Sequence, residues 1–510
     1  MRRLLSALVA AAVVSALTAC TTSPTENGSD MEAANLSHSV IPAPVSITDG
    51  VGWFVLDGAA IQSDDETAGV ASYLGSALDL PLAPDGDIQL RLVDGHPDDG
   101  YSLTVSATAI VIEASDPAGL FHGAQTLRQL VTDDSVEVTT IEDSPRFAYR
   151  GAMLDVARHF FGVNDVKRYI DDIAMLKINY LHLHLSDDQG WRIQIDGWPN
   201  LTAHGSTSAV GGIGSTGSGF YTKDDYREIV AYAASRFITI VPEIDMPGHT
   251  NAALSSYPEL TCDGKAPALY TGIEVGFSSF CIGRETTYRF ITDVLTELAE
   301  LTPGPYIHIG GDESLSTTDA DFLAFANRVT EIGAATGKTL IGWHELGRST
   351  QLPPGTVGQY WSFIEPQEGA AAEATSFVTQ GGKLIMSPAD VAYLDMKYDM
   401  LSPYGLEWAN GYTHTADAAN WDPAEVIPGI GDEQLLGVEA PIWTETLSAI
   451  DEVEYMAFPR IAEIAEIAWS PRVDAATHFD DLAPRLAAFG RVLDAAGVTY
   501  YRTPEVPWTD

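Results

Sequence analysis

From about Arg150 the chain falls into short apolar runs separated by longer stretches with helical spacing. The apolar runs read as strands: Gly151–Val156, Tyr180–Leu185, Ile238–Glu243, Tyr306–Ile309, Thr339–Trp343, Val357–Trp361, Lys383–Met386 and Leu436–Glu439. Helical stretches such as Val166–Leu176, Asp224–Ser235, Thr287–Leu298 and Ala320–Thr336 intervene. Eight strands joined by crossover helices predict an α/β fold, a (β/α)8 TIM barrel. A doubly wound open sheet is the alternative, and the strand count argues against it. Two further helical stretches, about Val453–Trp469 and Leu482–Ala496, complete a barrel domain expected over 146–510.

The segment before the barrel, 40–145, mixes the two periods. Ile88–Val93 alternates as a strand, Tyr101–Glu113 reads as two strands with a turn near Ala107, and Pro117 opens a helix to about Val131. This predicts a small α+β domain that packs against the barrel and supports it. At the N-terminus, Arg2-Arg3 and the apolar run Leu4–Leu17 form a secretory signal too short to span a membrane. Leu17-Thr18-Ala19-Cys20 resembles the lipobox of bacterial lipoproteins, so residues 1–20 are expected as a lipoprotein signal peptide with Cys20 as the lipidated residue. Residues 21–39 are polar and suit a flexible tether. The expected location is the outer face of a bacterial membrane, with the lipid as the only membrane contact.

Charge narrows the partners. With 71 Asp+Glu against 27 Lys+Arg the formal net charge is −44, which repels phosphate backbones and excludes nucleic acid as a ligand. Neutral or cationic substrates are favoured. Cys262 and Cys281 lie in one polar segment and can form a disulfide in an exported protein; two free buried thiols are the other reading.

The chemistry concentrates in Ile307-His308-Ile309-Gly310-Gly311-Asp312-Glu313. On a regular strand adjacent side chains face opposite ways, so Asp312 and Glu313 would not both reach one substrate. Gly310-Gly311 relaxes the backbone before them and lets both acids turn inward. Two carboxylates crowded in an apolar cleft do not both ionise easily, which leaves one available as a general acid. Other functional residue types also fall at strand C-terminal ends, where barrel enzymes build their sites: Arg158, Asp187, Asp245 with His249, Trp343, Trp361, Asp395 and Glu445. Trp343, Trp361, Trp443 and Tyr393 offer flat faces for the C–H faces of pyranose rings or an acetamido methyl. Arg158 and Glu445 are either a clamp for neighbouring hydroxyls or an ion pair across the barrel mouth. His182-x-His184 invites a zinc reading, against structural histidines hydrogen-bonded inside the barrel. No serine-hydrolase elbow or dinucleotide-binding glycine motif stands in the right context.

Taken together, the motifs resemble family 20 of the glycoside hydrolases, the β-N-acetylhexosaminidases. The matching stretches are Met153–Phe160, His182–Arg192, Val241–His249, His308–Glu313, Tyr393–Lys397 and Trp443–Glu445, and the likeness runs from about Ile41 to the C-terminus. The resemblance implies a small α/β domain followed by a catalytic barrel. It also implies retaining removal of terminal β-linked N-acetylglucosamine or N-acetylgalactosamine from a carbohydrate, with no metal and no cofactor. By the family's mechanism the substrate's own acetamido oxygen attacks the anomeric carbon, an exception to the usual pair of enzymic carboxylates. Carried over by position, Glu313 is the acid/base, and Asp312 orients the acetamido group and steadies the oxazolinium-like intermediate. Arg158 binds the 3- and 4-hydroxyls, with Asp395 and Glu445 on other hydroxyls. Trp343, Trp361 and Trp443 form the acetamido pocket, and Tyr393 bonds the acetamido oxygen. Asp187, Asp245 and His249 support Glu313 from behind, Trp408 resembles the residue that stacks on the next sugar, and Cys262–Cys281 matches a family disulfide. A sugar-capturing transporter lipoprotein and a metal-dependent barrel hydrolase are the competing functions.

Overall fold

The strands close on themselves. In the computed structural model, which describes residues 36–508, eight parallel strands pair in chain order and the last returns to the first. They are Tyr149–Asp155, Tyr180–His184, Thr239–Glu243, Tyr306–His308, Thr339–Trp343, Val357–Tyr360, Leu384–Met386 and Leu435–Ile442. The (β/α)8 expectation holds, and the open sheet is ruled out. So is the two-lobed architecture of a sugar-capturing lipoprotein. The expected strands match these to within a residue or two, except that the last runs on through Pro441 to Ile442. Register there pairs Pro441 with Met153 and Ile442 with Leu154.

Inward-facing residues stack in layers, as barrel interiors require. At the base Tyr149 lies against Tyr180 with ring centroids 4.3 Å apart, beside Val241, Ile341, Val357 and Ile385. Above them comes a polar layer containing His182, Glu243, His308, Gln359 and Glu439, all fully buried. The layer beneath the mouth includes Met153, Trp343, Tyr393 and Trp443. Each layer sits one alternation further along the strands, so the polar residues are enclosed by packing on both sides.

The preceding domain is a six-stranded mixed sheet from Ser46 to Asp143, with helices Ala68–Leu78 and Pro117–Leu130. The second helix starts as the sequence predicts: Pro117 occupies its first turn, and the Asp116 side chain accepts from the Gly119 N–H at 2.8 Å. Buried ionic contacts join this sheet to the barrel. Lys177 Nζ lies 2.8 Å from Asp143, Trp469 Nε1 donates to the same carboxylate at 2.9 Å, and Arg150 meets Asp99 at 2.7 Å. Breaking one partner of such a buried pair costs about 3–5 kcal/mol. The domain is thereby fixed to the barrel's first βα unit and to the helix Arg460–Trp469.

Two expectations need correction. The helical stretch placed at Val453–Trp469 is two helices, Ile450–Ala457 and Arg460–Trp469, because Pro459 has no N–H to continue the first. The tether expected over 21–39 ends early: Leu36–Ser39 forms a short helical turn, and Val40 and Ile41 are buried. The signal peptide, Cys20 and residues 21–35 lie outside the described residues. Among the described residues no helix is long and apolar enough to cross a membrane.

Candidate active site

At the C-terminal end of the fourth strand the backbone turns sharply. Gly310 and Gly311 have φ of +66° and +116°, and Glu313 itself has φ of +38°. Such angles are strained for residues with a Cβ, so a non-glycine residue in the left-handed region signals a position held by its surroundings. Both glycines are also required by space. A Cβ on Gly310 would stand 1.7 Å from Asp245 Oδ1, and one on Gly311 would stand 2.7 Å from the Leu346 side chain. The Gly311 N–H donates to Asp245 Oδ1 at 3.1 Å, which pins the turn. Released from strand alternation, both acids point into one cavity.

That cavity, about 280 Å³, is lined by Arg158, His249, Asp312, Glu313, Trp361, Tyr393, Asp395, Trp408, Trp443 and Glu445, with Ile273, Val275 and Leu406. Ten of the sequence-derived site residues therefore share one wall. Asp187, Asp245 and Trp343 lie beneath it. For the first two this fits a supporting position. Trp343 is fully buried behind the cavity lining, with its ring 6.0 Å from that of Trp443.

Asp187 organises the centre. Its carboxylate takes Arg158 at 2.8 Å, His184 Nε2 at 2.9 Å and His249 Nδ1 at 3.2 Å. Burial alone would raise its pKa, but these cations hold it well below the usual carboxylate range. His249 Nε2 in turn lies 3.6 Å from Glu313 and 3.7 Å from Asp312. Burial opposes charging His249, yet the Asp187 and Asp312 carboxylates outweigh it and raise its pKa well above the usual imidazole value.

The crowding expected of the acidic pair falls on Asp312. Its pKa is raised, first by burial and then by the Glu313 charge, with His249 opposing. The side chain of Glu313 is 34% exposed and opens towards solvent.

Four buried polar atoms on this wall have no hydrogen-bond partner: Asp312 Oδ1, His249 Nε2, Asp395 Oδ2 and Glu445 Oε2. Buried polar atoms are normally paired, so these are ready for a hydroxyl-rich ligand. Asp395 and Glu445 have raised pKa values from burial and from their neighbours, Glu445 acting on Asp395. The Arg158 guanidinium lies 4.8 Å over the Trp443 ring and 3.8 Å from Glu445, an ion pair across the barrel mouth. The Trp361, Tyr393 and Trp408 rings meet at 5.8–6.2 Å, steeply inclined to one another.

Three partners escaped the sequence. Glu243 accepts from Trp343 Nε1 at 3.0 Å and from His182 Nε2 at 3.1 Å, contacts His184, and lies 2.9 Å from His308 Nδ1. Glu345 takes Trp361 Nε1 at 3.0–3.1 Å. Gln189 accepts from Arg158 Nε at 3.2 Å and donates to the Gly272 carbonyl at 2.9 Å. The histidine pair is a buried hydrogen-bonded element. His182 has both nitrogens on carboxylates, Glu243 and Glu439, which raise its pKa to about 9 against the opposing effect of burial. Cys262 and Cys281 are joined, S–S 2.01 Å, and close the segment that carries Ile273 and Val275.

A barrel whose strand ends gather an acid pair, aromatic walls and unpaired hydroxyl acceptors has the make-up of a glycoside hydrolase. Residues 147–472 match the family model "Glycosyl hydrolase family 20, catalytic domain", and residues 37–144 match "Glycosyl hydrolase family 20, domain 2". The chain belongs to glycosyl hydrolase family 20. A Beta-N-acetylhexosaminidase from Cellulomonas fimi is 42% identical over 92% of this chain and 97% of its own. A variant Streptomyces plicatus beta-hexosaminidase, solved in complex with product (GlcNAc), superposes with a TM-score of 0.89 at 50% identity, over 93% of this chain and 98% of its own. The Streptomyces coelicolor A3(2) GH20 beta-N-acetylhexosaminidase gives 0.89 at 49%, over 93% and 99%. The enzyme is a β-N-acetylhexosaminidase of the exo-acting, substrate-assisted class.

Proposed function

We propose that Glu313 protonates the leaving oxygen of a terminal, non-reducing β-linked N-acetylglucosamine or N-acetylgalactosamine and later deprotonates the incoming water. The substrate's acetamido oxygen attacks the anomeric carbon, and Asp312 orients that group and balances the positive charge of the oxazolinium-like intermediate. Arg158, Asp395 and Glu445 hold ring hydroxyls. Trp361, Trp443 and Tyr393 enclose the acetamido group over the buried Trp343, and Trp408 stacks on the following unit. Asp187, Asp245 and His249 hold the acid pair in position. No metal or cofactor enters this scheme.

The observation that carries this reading is that both acids approach the same imidazole nitrogen, at 3.6 and 3.7 Å. A retaining enzyme with its own nucleophile needs its carboxyls on opposite faces of the sugar, about 5–5.5 Å apart. Here the two acids are neighbours in the chain, on one cavity wall and beside the same imidazole, which suits a proton donor and a stabiliser instead. Chitin oligosaccharides or glycan ends are the proposed substrates, met by an exported, lipid-anchored protein. The Cys262–Cys281 link is in keeping with an oxidising compartment.

The test is hydrolysis of an aryl N-acetyl-β-glucosaminide by the wild type, Glu313→Gln and Asp312→Asn, with a thiazoline mimic of the intermediate as inhibitor. Both variants should lose most activity, and the thiazoline should bind the wild type tightly. Equal cleavage of a glycoside lacking the N-acyl group would refute substrate assistance.

A further inference from the structure

The catalytic cavity is not the only one that Glu313 faces. A second, of about 420 Å³, shares Glu313 and Trp361 with it and extends between the helical turn His344–Arg348 and the helix Ala370–Thr379. Its lining includes Glu345, Glu368 and Glu373. The cation in that lining, Arg348, is already bound to Asp319 at 2.6 Å. Between Glu345 and Glu373 stands His344, 4% exposed. Its Nδ1 is 3.6 Å from Glu345 Oε2 and its Nε2 is 3.9 Å from Glu373 Oε2, too far for hydrogen bonds, and Nδ1 has no partner. Burial lowers the His344 pKa to about 3, so the ring is neutral and one nitrogen is a free acceptor. Burial likewise raises the pKa of Glu345 and Glu373, which marks carboxylates short of positive charge.

We propose that this cavity is a recognition site on the leaving-group side for a primary ammonium group, as carried by a de-N-acetylated amino sugar next to the cleaved unit. The inference rests on the reading of Glu313 as the proton donor, because the aglycone begins at the oxygen that Glu313 protonates and the cavity begins at the same carboxyl. An ammonium brings three donors and a charge to a lining whose acidic side chains outnumber its one cation, Arg348, which is already paired with Asp319. An N-acetyl group at that position brings one N–H and no charge. Hydrogen bonds to charged partners are worth about 1.5–3 kcal/mol, or roughly tenfold and upward in kcat/KM. The preferred substrates are therefore partly deacetylated chitin oligosaccharides that end in N-acetylglucosamine.

The test compares two disaccharides, N-acetylglucosaminyl-β-1,4-glucosamine and its fully acetylated counterpart, with the aryl glycoside as control. Wild type should cleave the amine-bearing disaccharide about tenfold more efficiently. In Glu368→Gln/Glu373→Gln that ratio should fall towards one while aryl hydrolysis is retained. The single Glu368→Gln variant alters an exposed side chain and should lower the ratio part of the way, which keeps the test open if the double variant folds poorly. Equal rates on the two disaccharides in the wild type would overturn the proposal. So would an amine preference that survives both substitutions, which would trace it to the overall charge of the protein. Loss of aryl hydrolysis on blocking the acetamido step bears on the catalytic reading alone.

Discussion

Gly310→Ala is the sharpest probe of how the acid pair is presented, and the structure supplies its control. Alanine at 310 would adopt a left-handed conformation, which costs about 1–2 kcal/mol. Its Cβ would also stand 1.7 Å from Asp245 Oδ1, whereas real Cβ contacts do not fall below 3.0 Å, so one side must yield by about 1.3 Å (3.0 less 1.7). Either Asp245 leaves the Gly311 N–H or the turn carrying Asp312 and Glu313 moves. A displacement of ~1 Å at the reacting groups costs on the order of a hundredfold in rate. Gly337→Ala meets the same backbone penalty at φ +82° with nothing within 4 Å. Both variants should lose similar stability from the backbone in urea titrations, with an additional loss in Gly310→Ala. Only Gly310→Ala should lose about two orders of magnitude in kcat/KM on an aryl N-acetyl-β-glucosaminide. A Gly310→Ala enzyme as active as Gly337→Ala would refute the idea that the glycine makes room for Asp245 beneath the acid pair.

Two further predictions concern buried charge. Glu243→Gln leaves the raised-pKa His182 and His184 without a shared counter-charge and weakens the anchor of Trp343, so it should lower stability by about 3–5 kcal/mol, read from the urea midpoint. Asp172 has its pKa raised to about 9 by burial and by Glu454, with Arg168, which pairs with Glu454, opposing; Asp172 Oδ2 is buried without a hydrogen-bond partner, as in a carboxyl pair that shares a proton. A folded pKa raised above the ordinary aspartate value of 3.8 gives stability that is present in full at acid pH and lost as pH rises through about 9. Asp172→Asn removes that loss and should gain on the wild type with rising pH, by roughly 3–4 kcal/mol at pH 7; an unchanged difference between pH 4 and pH 9 would refute the shared proton.

What the sequence made legible was local. The Gly-Gly before Asp-Glu announced a backbone break, and the positive φ angles and the Asp245 contact supply its reasons. Residues at strand ends were readable because strand period and barrel topology together fix where a strand end points. Glu243 was not readable as a hub. It lies inside a strand, and the partners that define it, His308 and Trp343, are 65 and 100 positions further along the chain. The depth of Trp343 was hidden for the same reason: alternation gives the inward direction but not how far below the mouth a layer closes. Gln189 belonged to a stretch already recognised, yet its partners Arg158 and Gly272 come from separate loops. The break at Pro459 was passed over in reading one helix across Val453–Trp469, although proline cannot donate to the preceding turn.

The wiring beneath the cavity explains why so many charges are buried in an enzyme that acts on an uncharged sugar. Trp343 is held by Glu243, Glu243 by His184, and His184 by Asp187, whose oxygens also orient Arg158 and His249. The Arg158 guanidinium and the imidazole beside the acid pair thus rest on one carboxylate, which is linked in turn to the aromatic layer below. Apart from His249 Nε2, which faces the acid pair, these groups meet one another in buried contacts, so rotating Glu243, His184 or Asp187 leaves a buried charge unpaired, at a cost of several kcal/mol. Hydrophobic packing alone would hold the same side chains with less directional precision, because apolar contacts tolerate rotation and hydrogen bonds do not. Cations and anions alternate along this path, and the carboxylate at its centre stays ionised despite full burial. Under the proposed mechanism, the precision that substrate-assisted attack demands of the acetamido pocket and the proton donor is built into the barrel interior, out of reach of solvent.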